Sequence, residues 1–275
     1  MAIDAAVIDY YNTTGTWNAS GTVEDTFGGF HQYVLTNPGN DMSVFIDETS
    51  EQINLTKAQL GYPEAKRDYT AIELTLNRPL QDGWTIDMSY TWSESEGNHE
   101  GYVISDIAQD DAGITQNFDQ PGLTDYQDGP LPNDRTHTFK AFGSYEFNNG
   151  FRIGANFLAQ SGRPYGCMGV HPTDVFAADY GAFSRFCGGV PQKRGNHGEL
   201  PTITNMDLNA QYTVEIGNTD VLLSLDVFNV FNSDKKVRIS EVGETFGGAP
   251  EPNYLKPTAY QLPRTLRLSA RFNLF

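Results

Sequence analysis

Between His99 and Asn133 the chain carries Glu100, Asp106, Asp110, Asp111, Asp119, Asp125 and Asp128 and neither Lys nor Arg. Clustered carboxylate oxygens are what a hard cation such as calcium takes, and Asp106, Asp110 and Asp111 are the natural candidates. Their spacing is not that of an EF-hand loop, so a solvated acidic surface loop is the plainer expectation. No cofactor is expected, with loop calcium the one kept open. Further on, Cys167 and Cys187 are the two cysteines of the chain. A disulfide between them closes a loop of about 20 residues, worth about 3 kcal/mol through the unfolded chain. His171 and His197 lie in the same stretch, but the separations match no zinc pattern, so the disulfide is expected and a metal is not. Arg163, Lys193 and Arg194 could meet an anionic ligand or serve solubility. No GxSxG elbow, HExxH or GxxxxGK run occurs, and no enzyme is expected.

The elements that carry these loops have a period of 2. From Asn205 to Ile216, Met206, Leu208, Ala210, Tyr212, Val214 and Ile216 alternate with Asn205, Asp207, Asn209, Gln211, Thr213 and Glu215. Successive side chains of a strand point to opposite faces, so one face is apolar and the other polar. Trp84, Ile86, Met88, Tyr90 and Trp92 alternate in the same way with Thr85, Asp87, Ser89, Thr91 and Ser93. At the C-terminus Leu266, Leu268, Ala270, Phe272 and Leu274 alternate with Thr265, Arg267, Ser269, Arg271 and Asn273. Tyr69 to Arg78, His137 to Phe147, Phe151 to Gln160 and Val221 to Asn232 fit with more noise, which makes seven strands.

Connections between these strands alternate strictly. Pro79 to Gly83, Asn148 to Gly150 and Gly217 to Asp220 have hairpin-turn composition. His99 to Asn133, Tyr165 to Leu200 and Ser233 to Thr258 are long, and loops beyond about 12 to 15 residues need a specific cause. Strands of about 10 to 14 residues, short turns at one end and long loops at the other fit a transmembrane β-barrel with short periplasmic turns. The expected fold is all-β, an antiparallel transmembrane barrel in part, with residues 1–65 as a loop region leading into strands over 66–275. Trp84, Ile86, Met88, Tyr90, Trp92, Met206, Leu208, Tyr212, Leu266 and Leu268 are expected to face lipid. Thr85, Asp87, Ser89, Thr91, Asn205, Asp207, Asn209, Gln211, Arg267 and Arg271 are expected to face the lumen. Phe275 follows Leu274 and so falls out of phase with the apolar set, which implies a bulge or a rim position.

A net charge of -17 argues against nucleic acid, whose phosphates call for clustered cations. No apolar run reaches the roughly 18 residues of a membrane helix. The N-terminus MAIDAAVIDYYNTTG has no basic or apolar region of a secretory signal.

The run DLNAQYTVEIGNTDVLLSLDVFNVFN at 207–232, with its NVFN at 229–232, resembles the penultimate hairpin of TonB-dependent outer-membrane receptors. YPEAKRDYTAIELTLNRPLQDGWTIDMSYTWSESEGNHEG at 62–101, DRTHTFKAFGSYEF at 134–147, SGRPY at 161–165 and NPG at 37–39 resemble the Oar-like branch of that family. The resemblance implies a barrel of about 22 strands around an N-terminal plug. It further implies import of a scarce nutrient such as a siderophore-bound metal, cobalamin or a glycan across a Gram-negative outer membrane, driven by the TonB complex. The chain is then expected to be the C-terminal part of such a receptor, without plug or TonB box. Its partners would be outer-membrane lipid, the plug and remaining strands, TonB through the plug, and an unidentified small or oligomeric ligand. Tyr102, Phe118, Tyr126, Phe176, Tyr180 and Phe183 in the loops could stack on such a ligand or pack on one another. A secreted or surface β-sandwich that binds carbohydrate is the alternative, and a small passive porin a third. A sandwich would bury Trp84, Met88, Met206, Leu208 and Tyr212 under a second sheet.

Overall fold

The computed structural model describes residues 1–14, 33–46, 50–112, 115–217 and 219–272. Seven antiparallel strands make one meander in which each pairs with its neighbours in sequence. They are β1 (Arg67–Gln81), β2 (Trp84–Gly97), β3 (His137–Glu146), β4 (Phe151–Gln160), β5 (Ile203–Ile216), β6 (Thr219–Phe228) and β7 (Thr265–Phe272). The two-residue strand Gly129–Pro130 adds a short pairing at the loop end of β2. β1 and β7 are the edges of this open sheet, which does not close on itself.

Hairpin chemistry fixes the register. Gln81 pairs with Trp84, leaving Asp82 and Gly83 as a two-residue turn with φ of 54° and 82°. Positive φ at both central residues is the type I′ turn, whose twist matches that of paired strands. The turn is therefore tighter than the Pro79 to Gly83 expected, and Pro79 falls inside β1 at a register irregularity between Arg78 and Gln81.

That register carries the two faces across the sheet. Trp84, Tyr145, Ile153, Ala210, Leu225 and Leu268 stand opposite one another in successive pairs across six strands. Ile86, Gly143, Ala155, Leu208, Val227 and Leu266 form the adjacent row of the same face. Met88, Tyr90, Trp92, Met206 and Tyr212 share it by parity. On the opposite face a row runs Thr85, Ser144, Gly154, Asn209, Asp226 and Arg267. Asp87, Ser89, Thr91, Asn205, Asp207, Gln211 and Arg271 lie on that face too. Its polar groups bond to one another: Asp226 accepts from Asn209 Nδ2 at 2.6 Å and from Arg267 Nε at 2.9 Å. Arg152 donates to Ser144 Oγ at 3.1 Å. Phe142 and Leu158 break the polar pattern on this face.

The apolar face is uncovered: Leu268 is 82% exposed, Leu74 64% and Tyr212 45%. A small buried apolar cluster of Leu123, Ala177 and Ala182 lies in the loops, and the larger one sits elsewhere, at the N-terminus. There α1 (Asp4–Thr14) lies against a hairpin of Met42–Ile46 and Glu51–Leu55, and Val7, Tyr11, Ile53, Leu55 and Tyr62 are buried together. A short helix, α2 (Lys57–Leu60), follows with a full capping box between Thr56 and Gln59. Reading residues 1–65 as loop missed this small folded unit. Its hairpin strands are five residues each, too short to stand out by period.

β6 ends at Phe228, short of the Asn232 expected. Asn229 takes φ 49°, and its side chain donates to Ser233 O at 2.9 Å and Leu262 O at 2.7 Å while accepting from Ser233 N at 2.9 Å. The NVFN element is thus a turn held by its first asparagine, since Asn tolerates the left-handed region and caps local backbone. Phe275 and its phase lie outside the described residues.

Candidate functional site

The three long connections, 98–136, 161–202 and 229–264, all leave the same end of the sheet and meet in one layer. Its centre is ionic rather than greasy. Arg185 and Arg194, each 1% exposed, both donate to Asp106 Oδ2, at 2.5 and 3.0 Å. Gln127 completes the clamp, its Oε1 accepting from Arg185 Nε at 3.1 Å and Arg194 Nη2 at 2.6 Å, and its carbonyl from Arg194 Nε at 2.8 Å. Arg163 pairs with the fully buried Glu241, whose other oxygen accepts from Gly166 N at 2.7 Å. These bonds tie the first connection to the second and the second to the third.

Electrostatics follow from that packing. Burial alone would raise Asp106, but Arg185 and Arg194 outweigh it and hold its carboxyl below the ordinary range. Burial pushes Glu241 up to about 7, against the pull of Arg163. Burial, with repulsion from Arg185, lowers Arg194 to about 10.

Cys167 and Cys187 form a disulfide, with a Cα–Cα separation of 5.8 Å, and the two-Cys, two-His metal alternative falls with it. Gly243 of the third connection lies against it: a Cβ there would sit 2.2 and 2.8 Å from the two sulfurs, so only glycine fits. Glu244 then accepts from Val170 N at 3.0 Å and Gly188 N at 2.8 Å on either side of the bridge. His171 accepts from Asp174 N at its Nδ1, at 2.8 Å, so its Nε2 carries the proton and donates to Asp125 at 3.2 Å.

The acidic candidates are not brought together. Asp106 holds two arginines, Asp110 faces Arg238 at 3.1 Å, and Asp111 is exposed. Among the described residues no three His, Cys, Asp or Glu side chains converge on a metal position. Of the loop aromatics, Phe118 and Phe176 pack on the N-terminal cluster. Tyr180 donates to Asp119 at 2.7 Å, Tyr126 sets its ring edge-on to Phe186, and Phe183 stacks on Phe246. Tyr102 stays 73% exposed. Arg163 and Arg194 are buried in the ionic core, while Lys193 is exposed. Arg185, Gln127 and Glu241 had no signal in the sequence, since their partners lie 58 to 79 residues away in the chain.

An antiparallel meander with an exposed apolar face, a polar face, short turns at one end and a bonded loop layer at the other defines a section of β-barrel wall. The chain is homologous to the TonB-dependent transporter Oar of Myxococcus xanthus, at 28% identity over 251 residues, 77% of this chain and 23% of Oar. It thus spans about a quarter of that relative's length. No family model matches the chain. Solved structures overlap it at low scores: Pseudomonas aeruginosa FpvA bound to heterologous pyoverdines has a TM-score of 0.42 at 15% identity, covering 76% of this chain and 20% of that one. The siderophore receptor PiuA of Acinetobacter baumannii has 0.41 at 18%, covering 76% and 22%.

Proposed function

We propose that the seven strands form part of the wall of an outer-membrane barrel, apolar face to lipid and polar face to a wet lumen. The whole protein takes up a scarce nutrient that its outward loops capture, and energy arrives through a plug contacted by TonB. The observation that carries this reading is the apolar row from Trp84 to Leu268, unbroken over six strands and left exposed. An exposed apolar patch of that extent marks a partner surface, and a bilayer is the partner that fits an alternating wall of this strand length. Homology to a TonB-dependent transporter supports the energised route over a passive porin and over catalysis. The β-sandwich alternative would bury Trp84, Leu208 and Tyr212, which are 38%, 38% and 45% exposed.

A paired substitution tests it. Leu208→Arg places a charge on the apolar face and should cost about 2 to 4 kcal/mol at the bilayer midplane. Asn209→Arg, one residue on, places the same charge on the polar face and should be tolerated. Insertion is read as heat-modifiable migration on a gel. Equal insertion of the two variants, or a parent that folds in water without detergent, would sink the membrane reading.

A further inference from the structure

Beside the ionic core, a cavity of about 450 Å³ opens between the three connections, walled by Glu100, Ser105, Asn133, Arg135, Arg163 and Arg238. Its volume lies in the range of small-molecule sites, roughly 300 to 1,000 Å³. Three guanidinium groups line it against one carboxylate, and that carboxylate is tied back, Glu100 accepting from Ser105 N at 2.5 Å. The guanidiniums are unequally satisfied. Arg238 faces Asp110 and Arg163 is paired with Glu241 on one side. Among the described residues the Arg135 side chain donates only to the backbone carbonyls of Pro132, at 3.1 Å, and Asp134, at 2.6 Å, while the Asp134 carboxylate is engaged by Ser95 N at 2.8 Å. Arg163 is 6% exposed, and its buried Nε–H finds no acceptor among the described residues. A buried donor left unpaired is costly, and a charged one more so. Burial and the nearness of Arg163 also lower Arg135, which places the two cations close enough to repel.

We infer that this cavity is a binding site for an anionic oxygen group, a carboxylate or a phosphate, held between Arg135 and Arg163. Guanidinium forks match both groups with two parallel hydrogen bonds, and an anion between two arginines relieves their repulsion. Ser105 and Asn133 supply further hydrogen-bonding groups on the wall. This deepens the uptake reading and rests on it, because it names the chemical class of the captured ligand.

The test is calorimetric titration of the full chain in zwitterionic detergent, with inorganic phosphate in one arm and citrate in the other. A third arm adds micelles doped with a phosphate-bearing lipid, which separates a headgroup from a soluble ligand. Saturable binding of either soluble anion is expected. Arg135→Gln should weaken it about ten-fold or more, the loss of a charged hydrogen bond, and Lys193→Gln, an exposed cation outside the cavity, should leave it unchanged. Arg135→Gln keeps the Arg163 pair with Glu241, and unchanged trypsin resistance of the loops shows that the variant is folded. No saturable binding, an unaffected Arg135→Gln, an equal loss in Lys193→Gln, or binding of the lipid alone would overturn the site as stated. Anion binding by a chain that does not insert in membranes would keep the site and remove the uptake reading. Insertion without anion binding does the reverse.

Discussion

The strand wall and the loop layer invert each other's chemistry. In the wall, large apolar side chains such as Leu266 and Leu268 are exposed, at 66% and 82%. In the loop layer the largest fully buried side chains are Arg185 and Arg194. A soluble domain places these types the other way round, because apolar area leaves water and charge stays in it. The wall needs no core of its own if lipid covers it, and its backbone bonds are already made strand to strand. Among the described residues the loops have only two-stranded ladders and a small apolar cluster around Leu123, Ala177 and Ala182, and directional bonds from guanidinium to carboxylate fix them between these. Such bonds specify one arrangement, and breaking a pair leaves a bare buried charge.

The largest effect that would sharpen this comparison is Asp106→Ala. It strands Arg185 and Arg194 together and should cost about 3 to 5 kcal/mol within the loops. The readout is trypsin cleavage after these two arginines in the detergent-folded protein, rapid in the variant and slow in the parent. Equal resistance would mean that the ionic core does not hold the layer. Next comes the disulfide: replacing Cys167 and Cys187 by alanine should lower loop stability by about 3 kcal/mol. Loop proteolysis at rising urea should move to lower concentration, while the heat-modifiable band of the strands stays. If the band is lost as well, the two regions are not separate.

A pH titration gives the third test. Glu241 binds its proton more tightly when folded, so its contribution is complete below the ordinary carboxylate value and is lost as pH rises through about 7. Loop protection should therefore weaken between mildly acidic and neutral pH, and Glu241→Gln should flatten that slope. A slope of opposite sign would show that the pair with Arg163 outweighs burial. The smallest effect is Thr56→Ala, which removes the capping box of α2 and should cost about 1 kcal/mol, seen as faster amide exchange at Gln59 and Leu60. Unchanged exchange at Gln59 and Leu60 would show that the capping box does not hold this helix.

The sequence made the wall legible and left the loop layer mostly hidden. Alternation from Met206 to Ile216 and from Trp84 to Trp92 marks strands because pleating repeats every two residues. The register of the first hairpin is not legible, since composition points to a turn over Pro79 to Gly83 and the chain closes instead at Asp82 and Gly83. Asn229 defeated the reading locally, as its left-handed backbone ends a strand that Val230 and Phe231 would otherwise extend by propensity. Of the loop layer, the Cys167–Cys187 pair could be argued from a count of two. The ionic core could not: Arg194 and Asp106 lie 88 residues apart, and no local period links them. Asp106 in particular reads with Asp110 and Asp111 as a cation candidate in an acidic loop, with nothing to mark it as the partner of two arginines.

Strict alternation of short turns and long connections gives the sheet two mechanically different ends. At the turn end, Asp82 and Gly83, 148–150 and the turn after Ile216 join strands two by two, and the ladder alone links one hairpin to the next, as in Trp84 with Tyr145 and Phe151 with Tyr212. At the loop end, Asp106, Arg163 and Glu241 lash all three connections into one block. The two ends are therefore held by different means, side-chain bonds between connections at one and the backbone ladder at the other. The cavity walled by Arg135, Arg163 and Arg238 sits at the end that side chains hold, so its shape depends on the loop bonds and not on the ladder.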